Sequence, residues 1–475
     1  MNRLAMLFLS FLAVWSVAMT AHAHSAVPIC SFDASGTNGA YPEANLALGP
    51  DGNFYGTTES GGASTNGTIF KVTTNGSLTT LVNFNGTNGA NPLAPLTPGP
   101  GGNFYGTTEY GGNTIGNASL NAGLGGGTVF QLTTNGTLTT LVNFTATNGA
   151  SPHGGLIWGP DGNLYGTTAS GGPDADGTLF SVTTGGTLTT LTNFSGANGS
   201  GPVSGLTLGP DGNFYGTTQA GGSAGYGTVF QLTTNGTLTT LVNFDGTNNG
   251  LSPKTGLTLG PHGNLYGTTS ASYLLPYTIS PGLTIYIPSG NGTIFQVTTG
   301  GVLTNLVDFD NYTAGITPAA SLTLGQNGNF YGTTYRGGSS GVGTVFEVTT
   351  NGTLTTLVNF NNTNGAYPLA GLTFGPGNNL YGTASSGGTG GNGTVFELGL
   401  PPYSIALAGS GGGNYTVFAD SYPDTTNRIW STTNLALPSS WQVLGTITTD
   451  ANGMGQLLDT NTAGIPAKYY RLSYP

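Results

Sequence analysis

Apolar and polar side chains alternate along this chain in short runs, which clusters of glycine, proline and asparagine separate from one another. Alternation with a period of two is typical of strands with one buried face, and such clusters are typical of tight turns. In the first unit, the turn at Asn75-Gly76 is a strong hairpin signal. The runs predict four strands there, over residues 44–48, 53–58, 68–73 and 78–84. Four short antiparallel strands in succession form one blade of a β-propeller.

Two motifs recur at a spacing of roughly 50 residues, which is near the range known for propeller blades. Gly-Asn-(Phe/Leu)-Tyr-Gly-Thr has its tyrosine at Tyr55, Tyr105, Tyr165, Tyr215, Tyr266, Tyr331 and Tyr381. Gly-Thr-(Ile/Val/Leu)-Phe has its phenylalanine at Phe70, Phe130, Phe180, Phe230, Phe295, Phe346 and Phe396. Seven copies of each motif predict an all-β fold, a seven-bladed β-propeller.

The fourth strand of the last repeat is missing from its expected place. A phenylalanine ends this strand in the first six repeats, at Phe84, Phe144, Phe194, Phe244, Phe309 and Phe360. The seventh repeat instead runs from Leu398 into Pro401-Pro402. Residues 29–32 align with residues 81–84, so we expect the N-terminal segment to supply the outer strand of the last blade and close the ring. A parallel β-helix is the rival fold, but its repeats are shorter and need no split final repeat.

The chain divides into three parts by composition. Arg3, an apolar run to Thr20 and Ala21-His22-Ala23 match a secretory signal peptide, predicted over residues 1–23. The propeller is predicted over residues 24–400, and a small β-sandwich-like C-terminal module over residues 401–475. Its strands are predicted at residues 403–407, 415–419, 428–431, 441–447, 456–458 and 469–472. We therefore expect a secreted or cell-surface protein.

Charged residues make up 5% of the chain, with 18 acidic and 7 basic residues. Phosphate backbones and anionic membranes attract clusters of lysine and arginine, and the sequence has none, so nucleic acid is not an expected partner. Cys30 is the only cysteine, which excludes an intrachain disulfide. No stretch after the signal peptide is apolar enough to span a bilayer, and we expect a monomer.

The strand order predicts two different faces. The turns from strand one to two and from three to four form one face, which we call the turn face, and these turns are short and uniform. The remaining connections form the insertion-bearing face, with long insertions at residues 113–126 and 270–291. Repeat proteins often bind on such a face. Tyr273, Tyr277 and Tyr286 are candidates for stacking on a neutral glycan, although they could instead pack the loop onto the blade.

Candidate catalytic groups are sparse. Glu59 and Glu109 follow strand two in consecutive repeats, where a glycosidase would need a carboxylate pair, and solvated surface carboxylates are the alternative. Tyr335 occupies the same position in the sixth repeat, and Tyr110 follows Glu109; both are further candidate ligand contacts. His153 and His262 are predicted on opposite faces, and the sequence indicates no positioned partner for either.

Metal and cofactor sites are likewise not predicted. Asp174-Ala175-Asp176-Gly177 resembles a fragment of a calcium loop but lacks the later acidic ligands. Trp158 replaces a leucine of the inner strand and is predicted to be a core variant. We therefore predict no catalytic residue, no metal and no cofactor.

The repeat resembles a known family. Leu-Gly-Pro-Asp-Gly-Asn-Phe-Tyr-Gly-Thr-Thr at residues 208–218 and Gly-Thr-Val-Phe-Gln-Leu-Thr-Thr-Asn-Gly-Thr-Leu-Thr-Thr-Leu-Val-Asn-Phe at residues 227–244 are similar to the GloVer-type repeat of choice-of-anchor tandem repeat proteins. The resemblance covers residues 29–398. It implies a bacterial, exported protein and offers no catalytic residues.

Three functions remain open. The first is an exported, non-catalytic scaffold that binds a glycan or a protein through the insertion-bearing face. The second is a propeller enzyme, a lyase or glycosidase, with its site at the channel mouth. For this second function, a further resemblance is relevant: the motif Gly-Pro-Asp-Gly-Asn-Leu-Tyr is similar to the blades of streptogramin-lyase-like and NHL-type propellers. That resemblance implies a histidine base and metal-binding acids on one face. The sequence of this chain does not place such residues on one face. The third is a structural component of the cell envelope.

Overall fold

A computed structural model describes most of the chain outside the segment predicted to be a signal peptide. The described residues are 25–113, 123–246, 250–271, 273–280, 283–309, 311–400, 404–411, 414–420, 426–433, 442–448, 454–460 and 469–473. The predicted signal peptide, residues 1–23, lies outside them. Within these ranges, no helix has the length and apolar character needed to cross a membrane.

Seven antiparallel sheets form the blades, which confirms the predicted seven-bladed propeller. Blade 1 contains Ala47–Leu48, Phe54–Thr58, Thr68–Val72 and Leu78–Asn83; blade 2, Thr97–Pro98, Phe104–Thr108, Thr128–Leu132 and Leu138–Asn143; blade 3, Ile157–Trp158, Leu164–Thr168, Thr178–Val182 and Leu188–Asn193; blade 4, Thr207–Leu208, Phe214–Thr218, Thr228–Leu232 and Leu238–Asn243; blade 5, Thr258–Leu259, Leu265–Thr269, Thr293–Val297 and Leu303–Asp308; blade 6, Thr323–Leu324, Phe330–Arg336, Thr344–Val348 and Leu354–Asn359; and blade 7, Thr373–Phe374, Leu380–Ala384, Thr394–Leu398 and Ala26–Ser31.

Three further features interrupt the regular blades. Ile316–Pro318 pairs with Phe330–Arg336 and adds a short strand to blade 6. The second insertion forms an antiparallel hairpin, Tyr273–Ser280 with Leu283–Ser289. Single 3-10 turns lie at Pro100–Gly102, Pro261–Gly263, Tyr312–Ala314 and Pro376–Asn378.

The first strand of blade 1 is shorter than predicted. In blade 1 it covers Ala47–Leu48, whereas the sequence pattern predicted residues 44–48. The carbonyl oxygens of Ala44 and Leu46 accept hydrogen bonds from Thr383 (3.3 Å) and Thr373 (2.6 Å) of blade 7. Because the neighbouring blade uses these acceptors, the segment before Ala47 joins blades together and does not extend the strand.

The N-terminal strand closes the ring as predicted. Ala26–Ser31 pairs with Thr394–Leu398, and Cys30 lies opposite Val395. The ring of Phe32 lies 5.1 Å from that of Phe70 in blade 1. The other six junctions have the same contact at 5.1 to 5.7 Å, namely Phe84–Phe130, Phe144–Phe180, Phe194–Phe230, Phe244–Phe295, Phe309–Phe346 and Phe360–Phe396.

A second series of ring contacts joins the blades nearer the channel. At six of the seven junctions the motif tyrosine of one blade packs on an aromatic ring of the next, as Tyr55 does on Phe104 at 4.4 Å. At the junction of blades 4 and 5, Tyr215 packs with Leu259 and Leu265 instead. In blade 3 leucine replaces that phenylalanine, and Trp158 of the inner strand supplies the ring, 5.3 Å from Tyr105. The prediction that Trp158 is a core variant is therefore consistent with its packing. Phe374 does the same in blade 7, 6.1 Å from Tyr331.

The hydroxyl groups of several motif tyrosines donate to a carboxylate at the turn face. In blades 1, 3 and 4 the acceptor is an aspartate in the turn before strand two, with Tyr55–Asp51 at 2.9 Å, Tyr165–Asp161 at 2.9 Å and Tyr215–Asp211 at 2.8 Å. Asn327 replaces this aspartate in blade 6 and Gly377 replaces it in blade 7. In both blades strand three supplies a glutamate, with Tyr331–Glu347 at 3.1 Å and Tyr381–Glu397 at 2.9 Å. The hydroxyl group of the motif tyrosine therefore finds a carboxylate acceptor either in the turn before strand two or in strand three.

The C-terminal part contains two three-stranded antiparallel sheets, as the predicted sandwich requires. One sheet contains Ser404–Gly411, Asn414–Asp420 and Met454–Asp459; the other contains Gln442–Thr448, Thr426–Thr432 and Tyr469–Ser473. Each of the six predicted strands overlaps one of these. Val417, Ile429 and Ile447 form a small buried core.

Candidate functional site

A repeated backbone arrangement builds the insertion-bearing face. In each blade, the connection into strand one contains a proline, and the residue before it has a positive φ of 52° to 62°. In blade 1 this residue is Tyr41, whose N–H donates to Asn392 of blade 7 (3.1 Å) and whose carbonyl accepts from the N–H of Glu59 (2.9 Å). The equivalent residues, which all donate to the preceding blade, are Asn91, Ser151, Gly201, Ser252, Thr317 and Tyr367.

This arrangement holds the seams between blades while the side chains at the seams vary. The pre-proline residues include tyrosine, asparagine, serine, threonine and glycine. The residue after strand two varies as widely, being Glu59, Glu109, Ala169, Gln219, Ser270, Tyr335 and Ser385. Non-glycine residues with positive φ are uncommon and are strained unless their surroundings hold them. Here the two backbone hydrogen bonds provide that support.

The strand three-to-four turns of the turn face are uniform by contrast. A threonine hydroxyl at the end of strand three accepts from the N–H four residues later at 2.9 to 3.1 Å, in the pairs Thr73–Ser77, Thr133–Thr137, Thr183–Thr187, Thr233–Thr237, Thr298–Val302 and Thr349–Thr353. Five of these six turns therefore present only threonine, serine, asparagine and glycine. Variation in side-chain chemistry is concentrated on the insertion-bearing face.

The seam between blades 2 and 3 carries an acid–imidazole pair. Glu109 is buried, and its Oε1 lies 2.9 Å from Nε2 of His153. The hypothesis that His153 has no positioned partner is therefore wrong. The two residues are 44 positions apart, and the docking of one blade on the next brings the end of strand two against the following proline loop. We call Glu109 and His153 the acidic seam.

Two further glutamates lie near this pair. Burial, together with the negative charges of Glu59 and Glu109, raises the pKa of the Glu43 carboxyl to about 7. Burial and the charge of Glu109 also raise the pKa of Glu59. Tyr110 donates a hydrogen bond to Glu109. Burial together with this bond raises the pKa of the Tyr110 hydroxyl to about 12. Glu59 and Glu109 are thus close enough to interact, and neither is an isolated surface carboxylate.

The seam between blades 6 and 7 carries aromatic rings. The centroids of Tyr335 and Tyr367 are 5.2 Å apart, with the planes tilted by 40°. The guanidinium carbon of Arg336 lies 5.4 Å from the centroid of Tyr335. Both tyrosines are half-buried and Arg336 is exposed. We call these three residues the aromatic seam.

The sequence-predicted site residues fall into separate groups. Glu59, Glu109 and Tyr110 belong to blades 1 and 2, whereas Tyr335 belongs to blade 6, so the ring places them at different seams. Tyr273, Tyr277 and Tyr286 lie on the hairpin, where the backbone register pairs them with Ser289, Ile285 and Pro276. Their side chains lie outside the described residues, and their role stays a prediction.

Sequence reasoning missed three features of the site. These are the presence of Glu43, the contact of His153 with Glu109, and the contact of Tyr367 with Tyr335. Each of these depends on contacts across a seam. An alignment of the repeats would have placed Glu43 and His153 at the same position after the proline, and Tyr41 and Tyr367 at the same position before it. That alignment shows which positions meet but not which side chains touch.

Among the described residues, no group of three or more His, Cys, Asp or Glu side chains is arranged to hold a metal ion. Asp176 of the calcium-like fragment instead accepts a hydrogen bond from Ser200 at 2.5 Å. His262 lies in a turn of the opposite face with a φ of 62°, as its position in the repeat predicted.

Family comparison agrees with this architecture. The model of the Gloeobacter/Verrucomicrobia repeat matches residues 18–123, 114–274 and 282–444. The chain belongs to this repeat family. Gloeobacter/Verrucomicrobia repeats therefore account for the blade motifs, which confirms the resemblance seen in the sequence. No curated protein has significant sequence similarity to the chain.

Solved structures with similar folds include several enzymes. A gluconolactonase from Xanthomonas campestris has 16% identity and a TM-score of 0.34, covering 58% of this chain and 79% of its own. An aldose sugar dehydrogenase from Streptomyces coelicolor has 13% identity and a TM-score of 0.40, covering 79% and 98%. A puromycin hydrolase has 13% identity and a TM-score of 0.46, covering 82% and 60%. None of these similarities assigns an activity to this repeat protein.

Proposed function

We propose that this repeat protein is an exported, non-catalytic propeller that binds a glycan through its insertion-bearing face. The observation that carries the proposal is the contrast between the two faces. One face repeats nearly the same chemistry in its three-to-four turns, whereas the other holds varied side chains on a backbone frame that recurs at every seam. A rigid frame with interchangeable side chains is an arrangement that suits recognition.

The aromatic seam gives this face a means of holding a sugar. Tyr335 and Tyr367 offer ring surface that is partly accessible. Aromatic rings stack on the apolar faces of sugars, while tyrosine hydroxyls form hydrogen bonds. The glutamates of blades 1 and 2 add acceptors for sugar hydroxyls. A protein partner is the other ligand class that this face could hold, and it is an outcome of the test below.

The proposal is tested with a glycan array and the mature chain. We expect binding by the wild type, and loss of at least tenfold in affinity for Tyr335→Ala and Tyr367→Ala. Thr137→Ala on the turn face is the matched control and leaves binding unchanged. Tyr273→Ala, Tyr277→Ala and Tyr286→Ala together test the hairpin. The wild type could bind no glycan and instead capture a protein ligand, with Tyr335→Ala abolishing that capture. This result would contradict glycan binding and would indicate that the ligand of this face is a protein.

The acidic seam favours a second candidate function, acid–base catalysis on a glycan. A general base needs a positioned imidazole or carboxylate, and a general acid works best when its pKa is near the operating pH. His153 has a buried carboxylate partner, and the pKa of Glu43 is about 7. A lyase or glycosidase could use such groups.

This second candidate is tested by product formation. Polysaccharides are incubated with the wild type, and new reducing ends or unsaturated products are measured. Turnover that Glu43→Gln and His153→Ala each lower by at least a hundredfold, while Glu397→Gln on the opposite face leaves it unchanged, would support catalysis. Binding without turnover supports the scaffold.

A further inference from the structure

The aromatic seam contains a cation that stacking on a neutral sugar does not need. Arg336 is exposed and its guanidinium lies over the Tyr335 ring, a cation–π geometry that restricts the orientation of the side chain. In the described part of the chain, no carboxylate lies within ion-pair distance of Arg336. The chain has a net charge of −11 and 7 basic residues, so an exposed arginine on the candidate binding face is unusual for it.

The seam positions next to the strand ends have a charge polarity. We compare the two residues that follow strand two in each blade, which are Tyr335 and Arg336 in blade 6, and the residue after the recurring proline of the next connection. Arg336 in blade 6 and Lys254 in blade 5 are the arginine and lysine at these positions. Glu43, Glu59 and Glu109 lie in blades 1 and 2. At these positions the positive groups therefore lie in blades 5 and 6, and three negative groups lie on the other side of blade 7.

From this arrangement we infer that the glycan carries a carboxylate, and that Arg336 binds it while Tyr335 and Tyr367 contact the sugar rings. This inference rests on the proposed function and narrows its ligand to acidic sugars, in place of the neutral glycan that the sequence suggested. A planar guanidinium matches a planar carboxylate through two parallel hydrogen bonds, a geometry that lysine does not reproduce.

The glutamates of blades 1 and 2, Glu43, Glu59 and Glu109, disfavour ligands with many carboxylates. A polymer with a carboxylate on every residue would also place negative groups near Glu43 and Glu59, where like charges repel. A glycan in which acidic residues alternate with uncharged ones can place one carboxylate at Arg336 and uncharged residues elsewhere. Uronic acids alternating with N-acetylated sugars have this pattern.

The test measures the affinity of the mature chain for three oligosaccharides of equal length by calorimetry. These are an alternating uronate–N-acetylhexosamine oligomer, its methyl ester and a neutral N-acetylated oligomer. A fourth ligand, the N-acetylated oligomer with sulfate groups added, distinguishes a requirement for carboxylate from a requirement for any anion. We expect the alternating acid to bind at least tenfold more tightly than its methyl ester. Arg336→Ala should remove this preference, and Arg336→Lys should retain less than half of the difference on a logarithmic scale.

Controls separate this inference from the proposed function. Lys71→Ala changes a cation of the turn face and should leave the preference intact, and the melting temperature of Arg336→Ala checks its fold. Equal binding of the acid and its ester, with both weakened by Tyr335→Ala, would overturn the carboxylate inference and leave glycan binding standing. Equal preference for the sulfated oligomer would replace the carboxylate by a general anion. Absence of binding to every glycan would overturn both.

Discussion

Glu43 shows how a single side chain on the insertion-bearing face depends on its neighbours. It is half-buried in the proline loop that enters blade 1, and it shares its surroundings with Glu59 and Glu109. Burial disfavours the charged carboxylate, and two nearby negative charges disfavour it further. A group whose pKa is raised on folding binds its proton more tightly in the folded state.

The pH dependence of stability should reveal Glu43. Its contribution is fully present below the ordinary glutamate pKa of about 4.5 and is lost as the pH rises through about 7. We predict that raising the pH from 5 to 8 lowers the free energy of unfolding of the wild type by about 1 to 2 kcal/mol more than that of Glu43→Gln. Denaturant unfolding at both pH values measures this difference. Equal pH dependence in the two proteins would show that Glu43 does not bind a proton more tightly in the folded state. Asp161→Asn on the turn face is the control and should keep the pH dependence of the wild type between pH 5 and 8.

At the scale of elements, either of the two inner strands supplies the ring of the contact between blades at six of the seven junctions, and blade 5 has leucine in both strands. Blade 3 has Trp158 in strand one and Leu164 in strand two, whereas blade 2 has a proline and Phe104 at these positions. The ring that packs on the preceding tyrosine therefore comes from either strand. Trp158 also donates a hydrogen bond from Nε1 to the carbonyl of Pro98 at 2.8 Å.

This exchange predicts a coupling between Trp158 and Leu164. Trp158→Leu should destabilise the protein by about 2 kcal/mol because it empties the space beside Tyr105. Leu164→Phe alone should destabilise it by about 1 kcal/mol through overpacking. The double variant restores the leucine–phenylalanine pattern of blade 4, so we expect its stability to lie within about 1 kcal/mol of the wild type. Strictly additive losses in chemical denaturation would show that the two positions do not share one space.

The N-terminal closing strand has a longer side-chain hydrogen bond to its blade than the equivalent fourth strands of other blades. In four blades an asparagine at the end of strand four accepts from an N–H of the Gly-Gly loop at 2.8 to 2.9 Å, in the pairs Asn83–Ala63, Asn143–Asn113, Asn243–Ser223 and Asn359–Ser339. In blade 7, Ser31 occupies this position and accepts from Thr389 at 3.4 Å. In blade 3, Pro173 has no N–H, and Asn193 Oδ1 is buried without a partner.

Replacing Ser31 by asparagine should therefore strengthen the closure. The longer side chain brings its oxygen within ordinary hydrogen-bonding distance of Thr389, and we predict a gain of about 0.5 to 1 kcal/mol in the free energy of unfolding. Ser31→Ala, which removes the acceptor, should be less stable than the wild type. A lower stability for Ser31→Asn than for Ser31→Ala would mean that the seventh blade does not follow the geometry of the others.

At the scale of the whole molecule, repetition made the architecture predictable. Tight turns and period-two strands recur seven times, and the repeat that lacks its outer strand is complemented by residues 29–32. Local turn chemistry and strand patterns therefore determine the number of blades and the closure. The C-terminal strands followed from the same period-two pattern, even though no repeat supports them.

The candidate site was predictable only as a face. The meander order assigns each loop to one side of the ring, which is why Glu59 and Glu109 were expected on the same face. Contacts such as Glu109–His153 and Tyr335–Tyr367 depend on how neighbouring blades dock, and strand patterns within one blade do not encode that. The length of strand one was misjudged for the same reason, because its carbonyl groups bond to the adjacent blade.

Ring closure by the N-terminal strand is the claim on which the seams and both faces depend. Cys30 and Val395 are directly opposite in the antiparallel pair, where Cα atoms are about 4.5 to 5.5 Å apart, a separation that a disulfide accepts. Val345 occupies the position of Val395 in blade 6, opposite Val358. Because Cys30 is the only native cysteine, Val395→Cys and Val345→Cys form a matched pair.

The most direct measurement is disulfide formation in these two variants after oxidation of the folded protein. Burial raises the pKa of the Cys30 thiol to about 11, so a catalysed oxidant is used. We predict that Val395→Cys forms an intramolecular bond to Cys30, identified by peptide mass spectrometry, and that its melting temperature rises. Val345→Cys should remain reduced. Failure of Val395→Cys to link to Cys30, or equal linkage in both variants, would contradict the closed ring.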